Sequence, residues 1–224
     1  MMKRFGFAVA GHVFALALCT VILAWVLDLR HLSLNVPFDY QGDGLLYHTW
    51  VKGMMENGWY LHNPALGAPD GCDMHDFPMP DTLHFLCLKL LSFSCGYFTA
   101  CNLYFLLTFP LTTFTTLLVL RHLRVSYPTG LVVSLLFTFL PYHMLRATGH
   151  LFLGAYYLVP LAVMIVFWVF DDAPLLKQES PGRAAWRRLT PRAWASGLIC
   201  LLLASAGIYY AAFACFFFLL RRPG

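Results

Sequence analysis

Carboxylates are concentrated in one stretch of this chain, between residues 28 and 81. Eight of the eleven acidic residues lie there: Asp28, Asp39, Asp43, Glu56, Asp70, Asp73, Asp76 and Asp81. A positioned carboxylate can act as a general base or bind a divalent cation. Long loops are usually functional or disordered, and the aromatic residues and methionines of this stretch argue against disorder. The composition therefore indicates an ordered, functional loop.

Asp39 and Asp43 lie four positions apart near the start of this loop. Two carboxylates at this spacing, close to a membrane surface, can supply a general base or a cation ligand. A structural interpretation is favoured by the spacing alone. Asp43 is a favourable N-cap for a helix predicted over 42–57, and Asp39 is a favourable turn residue.

A second acidic cluster contains Asp70, Asp73, His75 and Asp76. Carboxylates suit hard cations and imidazole suits transition metals, so the cluster admits a divalent metal ion as cofactor. The Asp spacing does not fit an EF-hand, and no zinc-protease motif is present. The alternative is a solvated loop rich in turns, because prolines and glycines recur throughout residues 63–80.

A third group consists of His143, Arg146 and His150, at the end of an apolar run. Ionisable side chains at membrane depth are costly, about 2.5–3.5 kcal/mol for a central Arg on insertion scales, and are functional candidates. Arg146 with either histidine can hold a phosphate. The alternative is that Arg146 simply extends to the membrane–water interface.

The elements that position these groups are predicted to be membrane helices. The chain is 59% hydrophobic and 12% charged, whereas soluble domains are about a quarter charged. Its apolar runs are long enough to span a bilayer. The sequence predicts one all-α domain, a polytopic transmembrane bundle of about five spans with short interfacial helices in its first loop. The predicted spans are 5–27, 97–120, 129–145, 151–170 and 193–220.

Basic residues predict the orientation of these spans. Lys and Arg cluster beside the first and second runs and in residues 171–192, which indicates a cytoplasmic N-terminus and a cytoplasmic 171–192 loop. Residues 28–96 then form an external loop, with short surface helices over 42–57 and 82–94. The pattern lacks the basic–aromatic stripe of a nucleic-acid binder. The seven cysteines contain no CxxC motif, so neither a zinc site nor a disulfide framework is indicated.

The loop also resembles the GT-C glycosyltransferase superfamily, including its YfhO-like bacterial members and its polyprenyl-phosphate-dependent enzymes. The resemblance covers roughly residues 1–170 and rests on loose motifs. They are Gly42-Asp43-Gly44-Leu45-Leu46-Tyr47, Gly58-Trp59-Tyr60, Asn63-Pro64-Ala65-Leu66-Gly67-Ala68-Pro69, Pro78-Met79-Pro80-Asp81 and the segment from Pro141 to Pro160.

The resemblance implies transfer of a sugar from a polyprenyl-phosphate carrier, with membrane lipid as a further partner, at the outer face of a bacterial inner membrane. It implies Asp43 as catalytic base, with Asp39 as second choice. Arg146 and His150, with His143 and Tyr47, would bind the substrate phosphate.

Two features depart from the family pattern. Asp43 is followed by Gly44, whereas many members have a second acidic residue there, and this puts metal dependence in doubt. Family members usually have more than seven spans, so the chain is expected to be a truncated N-terminal part of such a protein. A transporter, flippase component or assembly subunit is the competing interpretation, because kinked helices with intramembrane His and Arg also suit that class.

Overall fold

The computed structural model describes residues 2–38, 40, 42–75, 81–147, 149–171 and 189–219. These residues are mostly helical. The helices are α1 Met2–Val26, α2 Asp43–Asn57, α3 Thr82–Ser92, α4 Tyr97–His122, α5 Tyr127–Thr138, α6 Pro141–Arg146, α7 Val159–Phe170, α8 Pro191–Ser205 and α9 Ile208–Leu219. A two-residue antiparallel pair, β1 His62–Asn63 with β2 Cys72–Asp73, closes the turn-rich part of the loop.

Three helical segments are long and apolar enough to cross a membrane: Ala8–Val26, Tyr97–His122 and Tyr127–Arg146. At 1.5 Å per residue they extend about 28–39 Å, against a hydrocarbon core of about 30 Å. The third segment combines α5 and α6. This supports the expectation of a helical membrane protein, but the predicted count of five spans is not confirmed.

The fourth predicted span is shorter than expected. Residues 151–158 form turns, and the helix begins only at Val159, with Pro160 in its first turn. A proline fits the first turn of a helix well, because its missing N–H would have no helical partner there, so the helix starts at this point. Its twelve residues extend about 18 Å.

The fifth predicted span is divided into two helices. It begins at Pro191, where the Thr190 hydroxyl accepts a hydrogen bond from the Ala193 amide at 3.2 Å. It is interrupted between Ser205 and Ile208, because Gly207 has a φ of +130°, which no α-helix accommodates. An uninterrupted apolar run therefore concealed a backbone break, which we call the α8–α9 break and define as residues 206–207.

The two helices predicted in the loop are confirmed as α2 and α3. The α2 helix ends before Gly58, whose φ is +115°. The interpretation of Asp43 as an N-cap is wrong. Gly42 occupies the cap position, and Asp43 is the first helical residue. The Asp43 carboxylate is consequently available for contacts outside its own helix.

The α4 helix is the centre of the fold, and α1, α3, α5 and α7 all contact it. Asn102 of α4 anchors the start of the loop, since its side-chain amide donates to the Leu34 and Val36 carbonyls at 2.9 and 2.7 Å. The α2 and α3 helices contact each other and α4, and α3 also contacts α8. The loop helices thus lie over one end of the bundle, beside the α8–α9 break.

Candidate functional site

A cavity of about 340 Å³ lies between α2, the segment after α6 and the α8–α9 break. We call it the polar cavity. Its wall comprises Asp43, Tyr47 and Trp50 of α2, Asp81 before α3, Arg146, His150, Phe152 and Leu153, and residues 206–210. The cavity therefore combines two carboxylates, one guanidinium, one imidazole and several aromatic rings.

Two of the predicted site residues form a direct contact. His150 Nε2 lies 3.1 Å from Asp43 Oδ2, with the Asp43 side chain 60% exposed and that of His150 21% exposed. The backbone amide of His150 donates to the Arg146 carbonyl at 2.8 Å. The fold thus brings Asp43, Arg146 and His150 to one wall, as the sequence hypothesis requires.

Tyr47 completes this part of the wall. It lies one helical turn after Asp43 on α2, and its ring contacts His150 and Phe152 edge-on, with centroids 6.2 and 5.0 Å apart. Burial, reinforced by the nearby Asp81 and Asp43, raises the pKa of Tyr47 to about 12. The phenol therefore keeps its proton at neutral pH and can donate a hydrogen bond to an anionic ligand.

The structure places His143 away from this wall, inside the helix bundle. Its ring stacks on Phe109 with centroids 3.8 Å apart. Its Nε2 and Nδ1 lie 2.8 Å from Thr108 Oγ1 and the Thr138 carbonyl oxygen, respectively. His143 therefore connects α4, α5 and α6, and this is a packing role for a residue that the sequence assigned to phosphate binding.

The structure describes only part of the acidic cluster that was predicted in the loop. Asp73 Oδ1 lies 2.5 Å from His75 Nδ1 and accepts the His75 amide at 2.9 Å. The hydrogen bond from the His75 backbone amide, and after it the contact with the His75 ring, lower the pKa of Asp73. Asp70 is exposed. Asp39 and Asp76 lie outside the described residues.

Within the part of the chain that is described, no three His, Cys, Asp or Glu side chains are grouped to hold a metal ion. Asp43, Asp81 and His150 all line the polar cavity, but they are not grouped closely enough to form such a set. The described residues therefore provide no ready-made metal site.

Asp81 was missed as a site residue. It precedes α3, and its backbone carbonyl accepts the Phe85 amide at 3.0 Å, but its side chain makes no capping hydrogen bond. Burial raises the pKa of Asp81 to about 6. From the sequence it reads as the last polar residue before a surface helix, and only the packing of that helix reveals the cavity.

Tyr209 and Tyr210 were also missed, because they lie inside the predicted fifth span. The signal available was Gly207 immediately before them in an otherwise apolar run. The α8–α9 break turns both rings to the polar cavity. The Tyr210 hydroxyl donates to the Leu153 carbonyl, which ties α9 to the segment carrying His150.

A buried histidine fixes the position of the α8–α9 break. His84 of α3 stacks on Phe152 with centroids 5.0 Å apart and an interplanar angle of 15°. Its Nε2 donates to the Ala206 carbonyl at 2.6 Å, and its Nδ1 accepts from the Tyr104 hydroxyl. His84 thereby connects α3, α4 and the break, and it satisfies a carbonyl that the interrupted helix leaves without a helical donor.

A second, apolar depression of about 220 Å³ lies between α7 and α9. We call it the apolar groove. It is lined by Val159, Ala162, Val163, Val166, Leu203, Tyr210, Phe213, Ala214 and Phe217. Tyr210 also lines the polar cavity, so the two spaces adjoin at this residue.

Comparison with protein-family models, with curated proteins and with solved structures finds no match to this chain.

Proposed function

We propose that this chain is a membrane glycosyltransferase of GT-C type, which transfers a sugar from a polyprenyl-phosphate carrier to an acceptor at the membrane surface. One observation carries the proposal. A polar cavity that contains Arg146 and the Asp43–His150 pair adjoins an apolar groove through Tyr210. This arrangement suits an amphiphilic ligand whose charged head enters the cavity and whose hydrocarbon chain enters the groove.

The head-group chemistry follows from the side chains on the cavity wall. The Arg146 guanidinium can form two parallel hydrogen bonds to one phosphate. The Tyr47 phenol supplies a further donor, and the second ring nitrogen of His150, which Asp43 holds, donates when the imidazole is doubly protonated. In the proposed reaction the carrier phosphate is the leaving group, so these donors stabilise the charge that develops on it. A carboxylate of the cavity wall takes the proton of the acceptor hydroxyl.

The proposal includes a membrane arrangement. Besides the three long segments, α7 and the α8–α9 pair complete two further crossings, with the N-terminus in the cytoplasm of a bacterial cell and the polar cavity on the outer face. Supporting this, α7, α8 and α9 are apolar and contact one another. Transporters more often place their polar residues at mid-membrane, whereas here α2 and the residue preceding α3 supply both carboxylates.

The test uses the full chain purified in detergent, with polyprenyl-phosphate-linked mannose and polyprenyl-phosphate-linked arabinose assayed separately. Release of carrier phosphate, with sugar appearing on an acceptor or in water, is the expected result. The control is the same preparation after heat inactivation. Movement of the labelled lipid across vesicles without cleavage would contradict the proposal and favour a flippase.

A further inference from the structure

The Asp81 carboxylate lies on the wall of the polar cavity, directly against the α8–α9 break. A Cβ atom added at Gly207 would lie 3.2 Å from Asp81 Oδ1, so the carboxylate abuts the α8–α9 break. Asp is a favoured N-cap, and a cap hydrogen bond is worth typically about 1 kcal/mol. The Asp81 side chain forgoes that bond at the start of α3 and lines the cavity instead.

The two carboxylates of the cavity have different surroundings. Asp43 is exposed and contacts His150. The half-buried Asp81 carboxylate has no hydrogen-bond or ion-pair partner among the residues that the structure describes. Arg146 and His150 line the same cavity but form no ion pair with the Asp81 carboxylate. A half-buried carboxylate without a partner is a stronger proton acceptor than an exposed, paired one.

We propose that Asp81 is the general base of the transfer, an inference that rests on the function proposed above. The acceptor hydroxyl oxygen attacks the anomeric carbon of the sugar, and the bond from that carbon to the phosphate oxygen breaks. The electron pair leaves with the carrier phosphate, which Arg146 and His150 hold. The hydroxyl proton passes to the Asp81 carboxylate. Asp43, the base that the sequence resemblance implied, instead positions His150 against the phosphate.

This division of roles fits a general pattern. Where two carboxylates of one site have different surroundings, they take different parts in the chemistry. Asp81 is effective as a base only when ionised. Because burial raises its pKa to about 6, activity should rise with pH through that value. The groups facing it from neighbouring elements are Tyr47 and Asp43 of α2, Arg146, His150, Tyr104 of α4 and Tyr209 of α9.

The test compares Asp81→Asn with Asp70→Asn, which neutralises an exposed loop carboxylate away from the cavity. Both variants are made in the full chain and assayed for release of carrier phosphate from polyprenyl-phosphate-linked mannose and arabinose. For Asp81→Asn, kcat should fall roughly 10²- to 10⁴-fold while donor affinity is retained. The activity that remains should no longer fall as the pH drops through about 6, so the acid limb of the pH profile should be absent. Asp70→Asn should behave as the unmodified protein.

Three outcomes would overturn the inference. The first is full turnover by Asp81→Asn with the acid limb intact. The second is loss of donor binding together with turnover, because that indicates a structural role. The third applies if Asp81→Asn cannot be recovered from membranes: a pH profile of the unmodified protein with no acid limb near pH 6 is then decisive. If the unmodified protein neither binds nor cleaves the donor lipids, the proposed function itself fails.

Discussion

His150 Nε2 lies 3.1 Å from a carboxylate oxygen of Asp43, and this contact joins the first residue of α2 to the segment that follows α6. An ionised carboxylate accepts hydrogen bonds and cannot donate them. The imidazole nitrogen that faces it therefore carries a proton. The contact thus orients the ring and couples the position of the loop to the position of α6.

Replacing Asp43 by Asn should strongly reduce transfer while leaving the amount of protein in the membrane near normal. Asn retains the size of the side chain but removes the charge that holds His150, and Asp43 makes no capping hydrogen bond that could be lost. We expect turnover of the donor lipid to fall roughly 100-fold. The measurement is carrier-phosphate release by the purified variant, with membrane levels determined in parallel.

Asp28→Asn is the matched control for this substitution. Asp28 Oδ2 and His31 Nδ1 are 2.7 Å apart, which makes them another Asp–His pair, but one that is highly exposed and outside the polar cavity. Disrupting that pair should leave turnover unchanged. Full activity of Asp43→Asn would remove the Asp43–His150 pair from the proposed mechanism.

Arg146→Lys should weaken use of the donor lipid without preventing insertion or folding. A guanidinium offers two parallel hydrogen bonds to a phosphate, whereas an ammonium acts as a point charge. Loss of one hydrogen bond to a charged group corresponds to roughly a 10- to 100-fold loss of donor affinity. The measurement is the donor concentration dependence of transfer, or donor binding directly.

The control for this variant is Arg30→Lys, which makes the same exchange at an exposed position that does not line the polar cavity. Both side chains reach the membrane–water interface equally well. If Arg146 served only as an interfacial anchor, both exchanges would therefore be silent. Unchanged donor dependence in Arg146→Lys would exclude Arg146 from phosphate binding.

Local patterns made α2 and α3 predictable. The spacing of Leu46, Trp50 and Met54 marked α2, and Gly58 marked its end. The α8–α9 break was not predictable in the same way. Hydropathy responds to side chains, whereas the break depends on the positive φ of Gly207 and on a hydrogen bond from His84 to the Ala206 carbonyl.

In the candidate site, too, local sequence revealed some residues, whereas others could be recognised only from tertiary packing. Arg146 and His150 were identified because charged groups within apolar sequence are conspicuous and costly. Asp81 was not, because eight carboxylates shared the loop and only tertiary packing distinguishes a half-buried one. His143 was assigned to the site because it is near Arg146 in sequence, but it faces Phe109 and Thr108 inside the bundle.

Reporter fusions should reveal the membrane arrangement. A reporter after Arg124 and another after Arg188 should be cytoplasmic, and one inserted within 63–75 should be external. The reason is that Lys and Arg concentrate beside the first two spans and in residues 171–192. An external reporter at Arg188 would contradict five crossings, since it would place α7 and the α8–α9 pair differently from the proposal.

Gly154→Ala should distort the segment that carries His150. A Cβ atom at Gly154 would lie 2.4 Å from the backbone Cα of Ala147, which is closer than any real contact. The backbone at Gly154 or at Ala147 must therefore move. We expect a loss of about 1–3 kcal/mol of stability, as for overpacking elsewhere, together with weaker donor binding. Gly197→Ala is the control, because a Cβ there meets nothing within 4 Å. Equal thermal stability of the two variants would show that the contact between Gly154 and Ala147 can relax without cost.

His84→Gln should reduce the pH dependence of stability. In the folded chain His84 is fully buried in α3, outside the long membrane segments, and burial lowers its pKa from 6.5 to about 4. The unfolded state therefore binds a proton before the folded state does as the pH falls. The stability contributed by neutral His84 is complete above about pH 6.5 and is lost between there and about pH 4. The free energy of unfolding changes by at most about 1.4 kcal/mol per pH unit through this one group.

Glutamine cannot titrate, but its amide can still donate to the Ala206 carbonyl that His84 Nε2 contacts at 2.6 Å. The variant should consequently be less stable at neutral pH, since it loses the stacking on Phe152, yet it should lose less stability on acidification. The measurement is the difference between unfolding midpoints at neutral and acidic pH in detergent, for the unmodified protein, His84→Gln and the exposed-site control His31→Gln. Other buried groups add their own pH dependence to all three proteins, so the comparison isolates His84. Parallel pH dependence in the unmodified protein and His84→Gln would mean that His84 is not buried in its neutral form against the α8–α9 break.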